Sequence, residues 1–262
     1  MAGQGRGSNY RERNSTADRA LDILALFDDH RLVLSGQEVA DELGVARSTA
    51  YRYLQSLVSS GFAEEQKPAG YRLGPRVFEL ARLARKGLGL SEVARPVMRA
   101  LVGQVGETVL LTRRAGATVV CLEREESAHP VRLSYERGHV LPINAGAAAL
   151  ILLAWADEQE IADIVGKGAL PQLTDATVTD GSVLRERLAA MRRDGIAVTR
   201  GELDPEVTGV AAPILDGRGE VVAAVSIAAL SHRVPESRIP EVSTAVQAAA
   251  ARISEQLALI AS

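Results

Sequence analysis

The side chains best placed to do chemistry in this chain are Arg47, Ser48, Thr49, Arg52 and Gln55. With Ala50 set at zero and about 100° per residue, Leu54, Leu57 and Val58 fall on one side of a helix. Ser48, Thr49, Arg52, Gln55, Ser56 and Ser59 fall on the other. A face that is short, polar and free of bulky aliphatics fits a DNA major groove, where Arg and Gln make bidentate contacts to guanine and adenine edges. Arg47 stands at the helix N-terminus, where backbone N–H groups also favour a phosphate. Taken alone, such a face equally describes any solvated helix, so the flanking elements must decide.

Residues that would do catalysis do not converge. His30, His129, His139 and His232 are scattered, and no Gly-x-Ser-x-Gly elbow, P-loop or His-Glu-x-x-His pattern occurs. Cys121 is the single cysteine; it lies in an apolar strand-like run and reads as a core thiol rather than a nucleophile. One cysteine also excludes an intramolecular disulfide and a Cys-cluster metal site, and suits a reducing compartment. His129 and His139 lack the close spacing of paired metal ligands, so neither a metal nor a cofactor is expected.

The elements around the polar helix sharpen its meaning. From Thr16, a natural N-cap, Ala17, Ala20, Leu21, Leu24 and Phe27 recur at helical spacing. Ser35 and Glu38 have the spacing of a capping box for a short helix that Gly44 ends. Residues 45–49 lead straight into the third helix, which Gly61 stops. Two helices joined by a tight Gly turn make a helix-turn-helix. Phe62–Glu65 and Tyr71–Leu73 then read as two short strands around a turn-rich loop, a wing. Lys67 and Arg72 in that wing are expected at the DNA backbone, and Arg19 on the first helix joins the DNA-facing set. Tyr51 and Tyr53 read as core-edge aromatics, with Tyr51 also within reach of a phosphate oxygen. Residues 1–15, with Arg6, Arg11 and Arg13, read as a disordered, solvated basic tail.

Pro75 suits a first helical position, Gly87 and Gly89 break the pattern, and Ser91-Glu92 restarts a helix reaching about Val105 with Pro96 inside it. These features predict a helical linker over 75–105. Behind it, Thr108–Thr112, Val119–Leu122 and Val131–Leu133 read as strands, followed by the small-residue run Ala145–Ala149. Helical patterns cover 157–166 and 180–194; Ala211–Leu215 and Val221–Ala229 flank a hairpin turn at Asp216–Gly219, and Glu236–Ile260 is one long amphipathic helix. The expected class is α+β: a winged helix-turn-helix over 16–74, the linker, and a domain over 106–262 with a largely antiparallel sheet. At Gly146 and Ala147 two readings stand side by side, close packing of the helix that follows or backbone N–H groups free to bind an anion.

The net charge of −3 argues against a nucleic-acid partner until it is divided. Residues 1–90 hold 13 Lys and Arg against 11 Asp and Glu, and the remainder hold 17 against 22. The acidity therefore belongs to the back part, and the front depends on where its arginines sit. At 262 residues, 47% hydrophobic and 24% charged, the chain is ordinary globular protein with room for two modest domains. Its longest apolar stretch, Ala145–Ala156, is too short to span a bilayer, and the first residues carry no secretory signal, so a cytoplasmic protein with no membrane partner is expected.

Thr16–Leu24, Glu38–Leu54, Gly61-Phe62 and Gly70–Gly74 resemble the IclR family of bacterial transcriptional regulators. The resemblance continues through Gly106–Val109, Val120–Glu123, Pro142–Ala147, Gly195–Ala197 and Val210–Ile214, covering essentially residues 16–260. It implies a GAF-like α/β effector domain, a small carboxylate or polar metabolite as effector, a double-stranded operator, and homodimers or homotetramers. It places ligand contacts at Gly146, Ala147, Thr199, Val207 and Gly209, and an acidic position at Glu202 that would meet a ligand amine or cap a turn. Some members carry an acidic residue where Thr199 stands, a Cys where Gly209 stands, and a His where Asn144 stands. These departures point to a larger or more apolar ligand. The expected function is a ligand-responsive regulator, repressor or activator, on a pseudo-palindromic operator. Two alternatives are a constitutive DNA-binding protein whose back domain only oligomerises and, remotely, a metabolic enzyme acting on a small carboxylate.

Overall fold

The structure is a computed structural model that describes residues 15–28, 30–67, 70–129, 135–166 and 170–261. Of the tail expected over 1–15, residues 1–14 lie outside the described residues, as does the strand expected at 131–133, whereas Ser15 is already helical. The chain divides into two compact units at Ala84/Arg85.

In the first unit, α1 (Ser15–Ala25), α2 (Gly36–Leu43) and α3 (Arg47–Ser59) precede β1 (Ala63–Gln66), β2 (Gly70–Leu73) and α4 (Pro75–Leu88). The Ser35/Glu38 capping box forms in both directions, and Gly44 closes α2 in the left-handed conformation at φ 62°. α1 starts at Ser15, so Thr16 lies inside it and not at its cap. Ile23, Leu34, Val39, Leu43, Ala50, Leu54 and Leu57 form the core with Tyr71. β1 and β2 pair antiparallel from Ala63↔Leu73 to Gln66↔Gly70, and Leu34 exchanges two 2.8 Å backbone hydrogen bonds with Tyr71 on the other edge of β2. That third strand-like contact needs glycine at position 70, because a Cβ there would lie 2.4 Å from the Leu34 carbonyl oxygen at a φ of +130°.

The second unit holds α5 (Leu90–Val105), β3 (Thr108–Ala115), β4 (Thr118–Glu125), β5 (Val140–Pro142), α6 (Ala147–Ala154), α7 (Glu158–Gly166) and α8 (Gly181–Asp194). β6 (Ala197–Arg200), β7 (Val207–Leu215), β8 (Val221–Leu230), a 3-10 turn at Glu236–Arg238 and α9 (Ile239–Ala261) complete it. The sheet order is β5-β4-β3-β8-β7-β6, with every neighbouring pair antiparallel. Period-two alternation gives this sheet two buried faces. Val109, Leu111, Val210, Ile214, Val225 and Ile227 pack with α5 and α9, while Ala211 and Ala224 pack with α6 and α8.

The linker expected over 75–105 needs correction at its second half. Leu90, Val93, Ala94, Val97, Met98, Leu101 and Val105 are buried in the sheet's α5/α9 core, so α5 is part of the second unit. Gly87 does not interrupt α4; the break falls at Gly89, which caps α5 in the left-handed conformation at φ 60°. Local glycine content suggested a connector here, but a helix with a full apolar stripe packs wherever an open sheet face offers burial.

Candidate nucleic-acid interface and ligand cavity

α3 presents the face that its spacing predicts. Ala50, Leu54 and Leu57 are buried, whereas Arg47, Ser48, Arg52, Gln55, Ser56 and Ser59 are exposed and Thr49 is half-buried. Tyr51 is half-buried and edge-on to Tyr71, with ring centroids 6.4 Å apart. A Cβ on Gly36 would lie 2.8 Å from the Tyr51 ring, so the ring sits directly against the first turn of α2. The Tyr51 hydroxyl accepts from Arg47 Nη2 at 3.2 Å, and the guanidinium lies 5.5 Å from the ring centroid. Arg47 is thereby held at the start of α3 by a residue that the α2 backbone fixes.

The other expected DNA contacts differ in how free they are. Arg52 packs over the Tyr53 ring at 5.7 Å. Gln55 hydrogen-bonds Tyr71, whose phenol burial pushes above its ordinary value while that bond opposes the shift. In the wing, Arg72 pairs with Glu64 at 2.7 Å and Lys67 with Glu65 at 4.0 Å; on α1, Arg19 pairs with Asp22 at 3.7 Å. Exposed pairs of this kind are worth at most about 1 kcal/mol, so a phosphate can exchange for the carboxylate. A cleft of about 220 Å³ runs between the starts of α2 and α3 and the wing, bringing Arg47, Tyr51 and Lys67 together with Gln37 and Gln66. The two glutamines carry no periodic signal that sequence reasoning uses.

In the second unit, Gly146, Ala147, Thr199, Glu202, Val207 and Gly209 line one cavity of about 40 Å³. Thr199 on β6 faces Gly209 on β7, which in turn faces Ala228 on β8. A Cβ on Gly209 would come within 3.1 Å of both Ala147 Cβ and Thr199 Oγ1, so the N-terminus of α6 closes tightly onto the sheet at this point. Gly209 itself adds no side chain there, and α6 packs directly against it. Gly146 caps α6 with no side-chain hydrogen bond, and the first intrahelical bonds run from Ala149 and Leu150 to its carbonyl. Glu202 neither caps a turn with its carboxylate nor stands alone, since Oε1 accepts from Arg187 Nη2 of α8 at 2.6 Å. Glu202 Oε2 is buried without a hydrogen-bond partner. Asn144, fully buried, donates from Nδ2 to the Pro171 carbonyl at 3.0 Å.

The cavity also holds residues that the sequence did not flag. Ser226 and Ala228 follow from β8 alternation, and Leu110 from β3; Tyr135 had no signal. Burial, assisted by the charge of Asp204, pushes the Tyr135 phenol up to about 12, which keeps it a neutral donor. Cys121 lies in the neighbouring core, where burial raises its thiol to about 11. Among the described residues, no three His, Cys, Asp or Glu side chains gather to hold a metal ion, and no helix is long and apolar enough to cross a membrane.

Comparison with known proteins matches both units. Residues 16–67 match the IclR helix-turn-helix domain and residues 83–255 the bacterial transcriptional regulator IclR C-terminal domain. The HTH-type transcriptional regulator BhcR of Paracoccus denitrificans is 33% identical, over 90% of this chain and 85% of that protein. Among solved structures, an IclR transcriptional regulator from Silicibacter sp. TM1040 superposes with a TM-score of 0.85 at 28% identity, covering 93% of this chain and 96% of its own. An IclR homolog from Microbacterium hydrocarbonoxydans, complexed with 4-hydroxybenzoate, gives a TM-score of 0.78 at 28% identity over 94% of this chain and all of its own, 100%.

Proposed function

We propose, from the premise that this chain belongs to the IclR family of bacterial transcriptional regulators, that it reads a pseudo-palindromic operator and is controlled by a small metabolite in the cavity at the α6 N-terminus. The observation that carries the DNA half is the outward polar face of α3, held on a capped helix-turn-helix with a wing beside it. Arg52, Gln55, Ser48 and Thr49 face base edges, and Arg47, Tyr51, Lys67, Arg72 and Arg19 face the sugar-phosphate backbone. Residues 16–74 of the first unit serve this role, and 106–262, with α5, form the effector and oligomerisation domain.

Two copies act together on the operator. The support is an open apolar depression of about 420 Å³ lined by Leu24, Phe62, Leu73, Val77, Leu80 and Ala81, together with Phe78 of α4, which is 76% exposed. Patches of this kind mark contact surfaces, and a second copy fits a two-fold operator. Effector binding then shifts the equilibrium between arrangements of the two reading units. The 4-hydroxybenzoate bound by the Microbacterium homolog supports a carboxylate-bearing effector. The protein works in the cytoplasm as a regulator and not as an enzyme, in keeping with a Cys121 thiol held protonated by burial.

Fluorescence anisotropy with the DNA upstream of the protein's own gene, in the presence and absence of a metabolite panel, tests both halves. Specific binding that one metabolite shifts is the expected result. Binding no tighter than to scrambled DNA rules out the regulator reading; specific binding that no metabolite alters favours a constitutive DNA-binding protein.

A further inference from the structure

In the first unit, Arg47 is held unlike the arginines around it. Arg19, Arg31, Arg72 and Arg76 each meet a carboxylate, at 3.7, 3.0, 2.7 and 2.6 Å. Arg47, exposed at the start of α3, instead donates from Nη2 to the Tyr51 hydroxyl oxygen at 3.2 Å, one helical turn on. Its guanidinium lies 5.5 Å from the centroid of the same ring. The two kinds of partner leave different things for DNA. A carboxylate cancels the cation and must be displaced before a phosphate takes its place. A neutral phenol fixes the guanidinium while leaving its charge and its other N–H groups available. Tyr51 is itself confined. Its ring meets Tyr71 edge-on, with centroids 6.4 Å apart, and Tyr71 is tied through its backbone to Leu34 by two 2.8 Å hydrogen bonds. The first turn of α2 also lies against it: a Cβ on Gly36 would stand 2.8 Å from Cζ, 3.0 Å from Cε2 and 3.1 Å from the hydroxyl oxygen. Gly36 does not have a positive φ, so the backbone does not require glycine here. A helix ordinarily favours alanine, and the Tyr51 ring is what excludes it.

We propose that Tyr51 is a positioning residue: it acts on DNA through Arg47, holding the guanidinium toward a backbone phosphate before the duplex arrives, and Gly36 supplies the room that this requires. This rests on the reading of the first unit as a DNA-binding head. The phosphate sits at the cleft that Arg47 and Tyr51 share with Lys67 and Gln37. Among the described residues Glu65, the carboxylate of that cleft, pairs with Lys67 at 4.0 Å and not with Arg47. A long side chain that has to be ordered only on binding lowers affinity by about two- to tenfold. The hydroxyl of Tyr51 removes that cost in advance.

The test is a double-mutant cycle in the full-length protein with Tyr51→Phe, Arg47→Ala and the combined variant. Binding is read by fluorescence anisotropy at low salt, on the duplex from upstream of the protein's own gene and on a scrambled one. Phenylalanine keeps the ring against α2 and Tyr71 and removes the hydroxyl alone, and thermal melts check that the fold is retained. Tyr51→Phe is expected to weaken binding to both duplexes about two- to tenfold, and to cause no further loss in the Arg47→Ala background. A tyrosine with a merely structural role costs the same factor in both backgrounds. Gly36→Ala, which displaces the hydroxyl end of the ring, should show the same dependence on Arg47; if that variant does not fold, the Tyr51 cycle decides alone. Undiminished affinity in Tyr51→Phe overturns the proposal. An equal loss with Arg47 absent does so too, because the hydroxyl then acts without Arg47. A folded Gly36→Ala with wild-type affinity overturns the part assigned to Gly36. Equal binding of the two duplexes by the wild type counts against the regulator reading and leaves the cycle readable on either, so the two failures are distinguishable. No binding to either duplex overturns both.

Discussion

Replacing Arg52 by Ala separates base reading from backbone contact on α3. The guanidinium packs over the Tyr53 ring at 5.7 Å on an exposed face, and an exposed cation–π contact is worth about 0.5–1 kcal/mol to folding. On the operator, a bidentate base contact is worth about 1–3 kcal/mol, or about 5- to 150-fold in Kd. Arg72 supplies the control: to reach a phosphate it must leave Glu64, which it contacts at 2.7 Å through Nη2 and 3.0 Å through Nε. Arg72→Ala should therefore weaken binding to operator and scrambled DNA alike, by less than about 1 kcal/mol, and lower the salt slope by about 0.9. Anisotropy titrations on operator and scrambled duplexes across a range of salt concentrations distinguish the two variants, with thermal melts confirming that both remain folded. An unchanged ratio of operator to scrambled affinity in Arg52→Ala would falsify base reading by this residue.

Three further outcomes follow from particular contacts. Gly209→Ala sets a methyl 3.1 Å from Ala147 Cβ and Thr199 Oγ1, so effector response should fall while operator binding by the ligand-free protein persists; a full response would show that the cavity is not the sensor. Cys121, with its thiol at about 11, should react with a thiol reagent at pH 8 only after unfolding, and rapid labelling of the native protein would contradict its burial. Backbone N–H donation from Ser35 holds Glu38 below its ordinary pKa of 4.5, and hydrogen bonds from Ser182 and Val183 hold Asp180 below 3.8. Both caps therefore stabilise the fold above those values and are lost as pH falls through the lower folded ones. The melting temperature should be insensitive to these groups above about pH 5 and drop below about pH 4; Glu38→Gln with Asp180→Asn should flatten the drop, and an unaltered acid profile would remove these caps as its cause.

Much of the reading head is written locally. Ser35, Glu38 and Gly44 specify the α2 ends by their own hydrogen bonds and conformations, and the 3.6-residue period places Ala50, Leu54 and Leu57 inward without reference to the rest of the chain. The residues missed owe their roles to distant partners. β5 and β6 are short, at three and four residues, and exist because β4 and β7 offer open edges to pair. α5 was misplaced for the same reason, since its apolar stripe does not say which surface covers it. Six of the residues singled out in the back domain line one cavity, yet the pairing of Glu202 with Arg187 joins a loop to α8 across fifteen positions, and no spacing rule reaches that far.

Strand β8 divides its labour residue by residue. Ser226 and Ala228 line the cavity, while Val225 and Ala229 belong to the core shared with α5 and α9. Specificity can accordingly drift through one set of positions while folding is policed at the other. In the proposed effector site, exchanges of Ser226 or Ala228 among small residues retune what the cavity accepts at little cost to the scaffold, whereas truncating Val225 hollows the core that anchors α5.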